Sequence, residues 1–475
     1  MGTGIFSKRS ELPGELHPLA LLREERLKAR LPVFDWSHGN PTTANLPWPP
    51  ASIPPLFAKN SWLAYEPSPL GLASAREALV RHLALEGLDV PARDAVLVAS
   101  SSEAYANLFK IFCNPGDNVL VPSPSYPLFD ELARWEGIEL RPYRLGFAGE
   151  WHLDVESVRA VCNERTRAIL VVSPNNPTGS CLTVAELHEL AAFGLPIIAD
   201  EVFAKAPRSV LGNADIPKAR AGRGRPVSFE NALCISTSPS DDLGRFPVSQ
   251  HPPRSVLGNA DAPKASAGRG RNTRRISTSR SDDLGRFPVS QHPPSGKRIR
   301  TLSARDVLHA HPHVVLDGLS KRLALPQVKC GWMLLGGPES FCSELRSRLE
   351  FALDAQLSLG APVSHALGEL LAHEDLARDA LARRIESSEA ALREAFSGTT
   401  VSVLPREAGW SAVLRVPCDD DSVLAIRLLD AYGIYVLPGA LFGFSSPGVL
   451  VVSLLTAPLD VPQAARSLLA CLESA

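Results

Sequence analysis

The sequence predicts an α/β fold, with a large domain around a mostly parallel mixed sheet and a smaller α+β domain. Short apolar runs alternate with helical patterns between residues 95 and 203, which is typical of βαβ units. The 45% hydrophobic and 21% charged residues are those of an ordinary globular protein. A net charge of −2 and the lack of a run of about 18 apolar residues predict neither a nucleic-acid nor a membrane partner.

Each predicted element follows from its own pattern. Helical periodicity predicts helices at 18–30, 70–86, 102–113, 126–136 and 183–194. Apolar runs predict strands at 95–100, 118–123, 166–174, 196–203, 313–320 and 331–337. Long helical patterns then continue to about residue 397, before strands near 401–404, 410–416 and 449–455 and closing helices. We therefore expect an N-terminal arm that belongs partly to the small domain (1–48), a large domain (49–337) and a small C-terminal domain (338–475).

A tandem repeat interrupts this alternation between residues 207 and 293. Its copies share PRSVLGNAD, AGRGR and SDDLGRFPVSQHP, and it contains 12 Arg and 2 Lys against 6 Asp and 1 Glu. Low hydrophobicity and high charge favour a disordered insertion, and loop entropy rises slowly with loop length, so we expect its deletion to leave the site intact. Its charge would also suit a polyanion, although three phenylalanines give it little capacity to stack on bases.

Eight cysteines are scattered from Cys113 to Cys471 without a C-x-x-C pair. The spacing therefore predicts neither a zinc site nor a disulfide framework, and we expect reduced thiols and no metal.

Residues directly after the predicted strands carry groups suited to chemistry, because ligands of parallel sheets bind beyond the carboxyl ends of the strands. Lys321 follows an apolar strand, where burial lowers the pKa of an amine and makes it a nucleophile toward carbonyls. Taken alone, a surface lysine is the simpler interpretation. Asp200 ends another apolar strand, where a carboxylate needs a cationic partner such as a protonated pyridine nitrogen.

Three further stretches suit a flat, phosphorylated ligand. Ser101 and Ser102 begin a predicted helix whose free N–H groups suit a phosphate, although serine is also an ordinary helix cap. Tyr126 offers a flat face on which a ring can stack. Asn176 lies in SPNNPTG (173–179), whose composition is also that of a plain turn.

Taken together and in this order, the motifs resemble those of the class I/II aminotransferases, which are fold-type I pyridoxal-phosphate enzymes. The resemblance runs from FDWSHGNPTTANLPWP (34–49) through SKRLALPQVKCGW (320–332) to LPGALFGF (437–444), with the repeat excluded. It implies pyridoxal 5′-phosphate as the cofactor and ping-pong transfer of an amino group from a small-molecule donor to a keto acceptor. It also implies a homodimer with shared active sites, and the scattered cysteines predict reduced thiols in the cytoplasm.

The resemblance assigns roles to individual residues. Lys321 would bind the cofactor covalently and move protons during the reaction, and Asp200 would pair with the pyridine nitrogen. Asn176 would bond the ring 3′-oxygen, Tyr126 would stack on the ring, and Gly39 would lie near the substrate carboxylate. The phosphate would be held by Ser101, Ser102, Ser320, Lys329 and, from the neighbouring subunit, Tyr65.

Three residues depart from the family pattern. Lys329 replaces an arginine at the phosphate and loses its bidentate geometry. Phe203 replaces a tyrosine that bonds the 3′-oxygen, which predicts a raised pKa for the lysine-bound cofactor. Val451 stands where the family has the arginine that binds the substrate carboxylate, and Arg415 and Lys205 are candidate replacements.

The departure at Val451 leaves other functions open. A pyridoxal-phosphate-dependent lyase or decarboxylase, or a weakly active member of the family, would use the same scaffold. A third interpretation is a non-catalytic domain that senses an effector for a transcription regulator.

Overall fold

The computed structural model describes residues 6–10, 17–58, 62–205 and 302–474. All of these belong to one unit of the fold. The tandem repeat lies outside the described residues, so its expected disorder stays a prediction. Among the described helices, none combines the length and the apolar character needed to cross a bilayer.

An eight-stranded mixed sheet is the central element of the described residues. Its strands are β2 (Ala95–Val98), β3 (Asn118–Ser123), β4 (Glu139–Phe147), β5 (Trp151–Leu153), β6 (Thr166–Val172), β7 (Ile197–Asp200), β8 (His313–Gly318) and β9 (Gly331–Gly336). Their order is β2-β9-β8-β7-β6-β3-β4-β5. The four pairings from β8 to β4 are parallel, whereas β9 is antiparallel to both of its neighbours and β5 is antiparallel to β4. The predicted, mostly parallel sheet is therefore confirmed.

The central strands are apolar along their whole length because helices cover both faces of the sheet. In β7 all four residues are buried. Ile197 and Ala199 pack into the core on one face, and Ile198 packs into a second core on the other face. Such strands form continuous apolar runs, which explains why the sequence indicated them correctly.

Thirteen helices surround the sheets in the described part of the chain. They are α1 (Pro18–Lys28), α2 (Ala73–Leu85), α3 (Ser101–Phe112), α4 (Phe129–Glu136), α5 (Val155–Val161), α6 (Val184–Ala191), α7 (Ala304–Val307), α8 (Leu319–Arg322), α9 (Glu339–Asp354), α10 (Ala361–Leu371), α11 (Glu374–Ala395), α12 (Asp421–Tyr432) and α13 (Val461–Glu473). Local signals set several ends: the Ser100 side chain accepts from the Glu103 N–H at the start of α3, and Gly433, at φ +68°, ends α12.

A smaller antiparallel sheet forms the second part of the fold. Its strands, in the order β10-β11-β14-β13, are β10 (Ser402–Val403), β11 (Ser411–Arg415), β13 (Leu437–Pro438) and β14 (Val449–Ser453). A parallel pair joins β1 (Phe34–Asp35) to β12 (Ile434–Tyr435), so the N-terminal segment packs beside the C-terminal one. The domain boundaries after residues 48 and 337 stay predictions.

The turn that contains Asn176 connects the two sheets. The Gly179 carbonyl accepts hydrogen bonds from the backbone N–H groups of Glu407 and Ala408, at 3.1 and 3.0 Å. Gly179 has φ +69°, and a Cβ at this position would lie 2.4 Å from the Ala408 carbonyl oxygen. Only glycine fits there, because both the backbone conformation and the close approach exclude a side chain. The contact brings the loop before β11 close to the strand ends of the large sheet.

Candidate active site

Asp200 is the buried carboxylate at the centre of the site. It is the last residue of β7, and its Cα lies opposite Val172 of β6 and Leu316 of β8. Its Oδ2 accepts a hydrogen bond from the Tyr105 hydroxyl at 2.5 Å, and its Oδ1 accepts one from the Val202 N–H at 3.0 Å. Burial raises the pKa of Asp200 to about 6, although these two hydrogen bonds and the nearby Lys321 amine oppose the rise.

Lys321 lies one strand away, in the short helix α8 that follows β8. Its Nζ lies 5.7 Å from the centre of the Phe203 ring and 5.0 Å from the centre of the Trp410 ring. The two rings contact each other edge to face, with 5.2 Å between their centres. Burial lowers the pKa of Lys321 to about 8, and the Asp200 charge opposes this fall. A substantial fraction of the amine is therefore neutral near pH 8, as a nucleophile requires.

The start of α3 forms one wall beside these two groups. Ser101 and Ser102 are the first residues of the helix, where backbone N–H groups have no partner within the helix. A Cβ on Gly331 would lie 3.4 Å from the Ser101 nitrogen, so the first residues of β9 pack directly against this helix end. A phosphate is a natural ligand for such a helix N-terminus.

The other predicted phosphate ligands lie in α8 and in the turn that follows it. Ser320 precedes Lys321 in α8 and is half-buried. Lys329 is exposed and has φ +58°, a backbone conformation that is uncommon for a residue with a side chain. It lies two residues before Gly331, which packs on the start of α3.

The amide and the aromatic ring predicted at the cofactor ring lie in loops after neighbouring strands. Asn176 is half-buried after β6, and its Oδ1 accepts a hydrogen bond from the Ser411 hydroxyl of β11 at 3.3 Å. The preceding residue, Asn175, has a structural role, because its side chain bonds the Pro124 carbonyl and Thr178. Tyr126 is half-buried in the loop after β3.

Two predicted residues lie farther out. Gly39 lies after β1, and a Cβ there would have one neighbour within 4 Å, the Ser37 carbonyl oxygen at 3.9 Å. Tyr65 is 82% exposed in the single chain. The roles proposed for these two residues stay predictions.

Arg415 and Lys205, the two candidates for binding the substrate carboxylate, have other surroundings in the structure. Val451 itself is buried in β14, between Val413 and Leu437. Arg415 is exposed at the far end of β11, four residues or about 13 Å along the strand from Ser411. Lys205 Nζ forms an ion pair with Glu86 at 2.8 Å.

Two residues of the site were missed by the sequence analysis. Tyr105 lies four residues after Ser101 and therefore on the same face of α3. Because a buried tyrosine hydroxyl needs a hydrogen-bond partner, this position could have indicated Tyr105 as a residue of the site. Trp410 lies in the loop before β11, more than 80 residues from Lys321 along the chain. No local pattern could have indicated that contact.

The donor set fits pyridoxal phosphate. Asp200 is a buried carboxylate with an elevated pKa, and neither it nor Lys321 takes part in an ion pair within the described ranges. A buried carboxylate needs a cation, and a buried amine of low pKa suits a carbonyl, so a protonated pyridine that carries an aldehyde matches both groups. Asp200 and Lys321 would hold its ring, and the start of α3 would hold its phosphate.

Comparisons with known proteins agree with this geometry. The family model of class I and II aminotransferases matches residues 32–221 and 292–468 and leaves most of the repeat unmatched. Tyrosine aminotransferase of Mus musculus is 30% identical over 179 residues, which are 36% of this chain and 39% of that protein. Nicotianamine aminotransferase 1 of Oryza sativa subsp. japonica is 32% identical over 145 residues, 29% of each protein. The matched region thus spans less than two fifths of these curated relatives.

The fold is that of solved aminotransferases. Alanine aminotransferase from Pyrococcus furiosus superposes with a TM-score of 0.72 at 19% identity, over 99% of this chain and 100% of that chain. At such low identity the likeness shows the fold alone, which is fold type I. The family match covers well over half of the sequence, and the chain therefore belongs to the class I and II aminotransferases, whose cofactor is pyridoxal phosphate.

Proposed function

We propose that this chain is an aminotransferase that moves an amino group between a small-molecule donor and a keto acceptor by a ping-pong mechanism. The observation that carries the proposal is the pair of groups at adjacent strand ends, the buried carboxylate of Asp200 and the amine of the half-buried Lys321. Lys321 has a pKa lowered to about 8, and Asp200 has a pKa raised to about 6. Each group is in the environment that a carbonyl-binding amine or a cation-binding carboxylate requires.

Each residue of the site has a separate role in the proposed reaction. Pyridoxal phosphate, when bound, supplies an electron sink for the bond that breaks next to the amino group. Asp200 holds a positive charge on the ring side, and the N–H groups at the start of α3 hold the phosphate. Lys321 carries the proton, since a pKa near 8 lets its Nζ both accept and donate it near neutral pH. Phe203 and Trp410 lie beside that nitrogen and reduce its contact with water.

A lyase or decarboxylase is the second candidate, and Val451 is the observation that favours it. This valine is buried in an apolar setting where the family has its carboxylate-binding arginine. A substrate carboxylate held differently would place a different bond of the substrate in line with the electron sink.

A donor screen on the full chain, reconstituted with pyridoxal phosphate, tests both candidates. For an aminotransferase we expect an amino-acid donor to convert the bound cofactor to a form absorbing at roughly 330 nm, and a keto acid to reverse the change. Release of carbon dioxide or of an eliminated group, without a need for a keto acid, would replace the proposal by the second candidate. No spectral change with any donor would contradict both.

We also propose that the protein is a homodimer with shared sites. The exposed segment at residues 62–67 supports this, because it presents Trp62, Leu63 and Tyr65 to solvent in the single chain. The test is a mixture of inactive Lys321→Met and Tyr65→Ala chains, refolded together. Hybrid dimers contain one site with both native residues, so activity should reappear. Failure of the mixture to recover activity would contradict a shared site.

A cytoplasmic location is proposed as well. All seven cysteines in the described part of the chain carry free thiols, which suits a reducing compartment. Fractionation of the source cells, with the protein detected by antibody, tests this.

A further inference from the structure

Six charged side chains meet around Arg322, the residue that follows Lys321 in α8, and none has a role in the proposed chemistry. We call them the Arg322 cluster: His82, Glu86, Lys205, Asp317, Arg322 and Glu374. Arg322, 4% exposed, lies at the centre. Its Nε and Nη2 donate to one oxygen of Asp317 at 3.0 and 2.7 Å, and its Nη1 donates to Glu86 and Glu374, both at 2.8 Å.

Two further cations complete the cluster. Lys205 Nζ lies 2.8 Å from Glu86, and His82 Nε2 lies 2.5 Å from Glu374 and 3.5 Å from Glu86. Burial lowers the pKa of His82, but the two carboxylates outweigh it and leave the pKa raised. Burial raises the pKa of Glu86 and of Glu374, but the neighbouring cations leave both pKa values lowered. The cluster therefore contains three basic side chains and three carboxyl groups; burial raises the pKa of the third, Asp317, and Arg322 opposes this rise.

The cluster joins segments that are distant in sequence. His82 lies in α2 and Glu86 directly after it, and Glu374 is the first residue of α11. Lys205 lies five residues after Asp200, and Arg322 directly follows Lys321. The cluster therefore joins two segments at one buried position. One segment follows Asp200, the proposed cofactor-binding carboxylate, and the other contains Lys321, the proposed reactive amine.

A metal site is a poorer interpretation of the same side chains. His82, Glu86 and Glu374 place their ligand atoms within 4.8 Å of one another. However, Arg322 and Lys205 already contact those carboxylates and neutralise them. A bound cation would have to displace or repel them.

Stability alone does not account for the cluster either. Buried ion pairs are often no more stabilising than apolar residues of similar volume, because desolvation offsets their attraction. What a charged cluster supplies is a defined geometry, since each of the four hydrogen bonds of Arg322 has a required direction.

We propose that Arg322 is a positioning residue, which through its cluster fixes the orientation of Lys321 and of the segment after Asp200. Only the expected effect on kcat and KM rests on the proposed function. A displacement of about 1 Å at a reacting group can lower a rate by about 100-fold. Loss of the fixed geometry should therefore lower kcat more than it changes KM.

The experiment compares Arg322→Lys with Arg346→Lys in the full chain loaded with pyridoxal phosphate. Arg346 is a matched control, because it also pairs with a buried carboxylate, Asp94, but lies in α9. A lysine at 322 keeps the charge and cannot make the four directed hydrogen bonds of the guanidinium. We expect Arg322→Lys to lower kcat by about 10- to 100-fold with little change in KM. We also expect it to shift the pH midpoint of the bound-cofactor absorbance, and Arg346→Lys to change neither quantity.

Amide hydrogen exchange gives a readout that does not depend on activity. Exchange at residues 319–323 and 201–205 should accelerate in Arg322→Lys and in the milder Glu374→Gln, which serves if the first variant does not fold. It should stay unchanged in Arg346→Lys. Unchanged exchange at both segments, or equal losses of stability in the 322 and 346 variants with an unchanged midpoint, would overturn the proposal. If the wild-type chain fails to transfer amino groups, the proposed function fails, and the exchange result still decides the role of Arg322.

Discussion

Lys321 and Arg322 are consecutive residues of α8, and their surroundings are opposite. The Lys321 amine lies over two aromatic rings, and burial lowers its pKa to about 8. The Arg322 guanidinium contacts three carboxylates, which outweigh the effect of burial and raise its pKa well above the ordinary value. In a helix, neighbouring side chains point about 100° apart, so one turn of chain can serve two environments.

The comparison teaches how two adjacent cations differ: burial lowers the pKa of the proposed reactive amine, whereas three carboxylates raise the pKa of the guanidinium. The Asp200 charge offsets the desolvation of the Lys321 amine only in part, so the charged amine is in a costly state that release of a proton or formation of a covalent bond relieves. The Arg322 guanidinium is stabilised in its charged form by three carboxylates, so loss of a proton would be unfavourable. On this interpretation the hydrogen bonds of Arg322 hold α8 in place, and Lys321, which has no such bonds among the described residues, depends on them for its position.

The largest expected effect comes from removing the reactive cation. Lys321→Met should lower the rate of amino-group transfer by about 10⁴-fold, because it removes both the covalent attachment and the proton carrier. Single-turnover absorbance measurements check this. Lys110→Met is the control, since Lys110 pairs with Glu136 on the surface. Residual activity within 10-fold of wild type would assign the chemistry to another residue.

Stability should respond in the opposite sense to activity. Arg322→Met should lower the free energy of unfolding by about 3–5 kcal/mol, because it leaves three buried carboxylates without their main partner. Lys321→Met should leave the free energy of unfolding equal or higher, because it removes an amine whose desolvation the Asp200 charge offsets only in part. Urea unfolding of the cofactor-free variants measures both. Equal losses of stability in the two variants would break the comparison.

The pH dependence of stability distinguishes the same two residues. The pKa of Lys321 falls from 10.5 to about 8 on folding, so between these values the unfolded chain binds more protons than the folded one. Lys321 should therefore add a positive slope to the pH dependence of the free energy of unfolding in this window, worth about 3 kcal/mol, against the negative slope of the Cys113 and Cys330 thiols, whose pKa values burial raises to about 12. Urea titrations of cofactor-free protein should show this added slope in the wild type and in Arg322→Lys. They should not show it in Lys321→Met; an identical slope there would place the lowered pKa elsewhere.

A smaller effect is expected at the carboxylate that faces Lys321. Tyr105→Phe removes a hydrogen bond that lowers the pKa of Asp200, so Asp200 should hold a ring cation less well. We expect about a 10-fold weaker binding of pyridoxal phosphate, the range for one hydrogen bond to a charged group. Tyr143→Phe is the control, because the Tyr143 hydroxyl donates to the Leu170 carbonyl within the sheet. Equal effects of the two substitutions on cofactor binding would contradict this role for Tyr105.

The smallest effect is expected from deletion of the repeat. Removing residues 207–293 should leave cofactor binding unchanged within about 3-fold, since loop closure depends only weakly on length. The segments that flank the insertion are anchored: Lys205 pairs with Glu86, and Ser303 and the Ala304 N–H both bond Glu201. Equilibrium titration with pyridoxal phosphate measures the result. A folded deletion variant that does not bind the cofactor would show that the repeat contributes to the site.

Much of the fold was predictable because the central strands are buried on both faces. β3, β6, β7 and β9 all form apolar runs, and the structure has them within a few residues of the predicted bounds. β4 was missed, since it has one fully buried residue, Tyr143, and charged residues along its length. A strand of this kind, next to the sheet edge and mostly half-buried or exposed, has no continuous apolar run to indicate it.

The sequence by itself determined the fold class, the family and the short motifs that follow each strand, because these depend on local periodicity and on residues adjacent in the chain. It indicated Asp200 and Lys321 in this way. Only the tertiary structure decided that Tyr105 bonds Asp200, that Trp410 covers the Lys321 amine, and that Lys205 belongs to the Arg322 cluster. Those contacts join residues about 90 to 120 positions apart, and the pKa of a buried group depends on every charge around it, whatever its place in the chain.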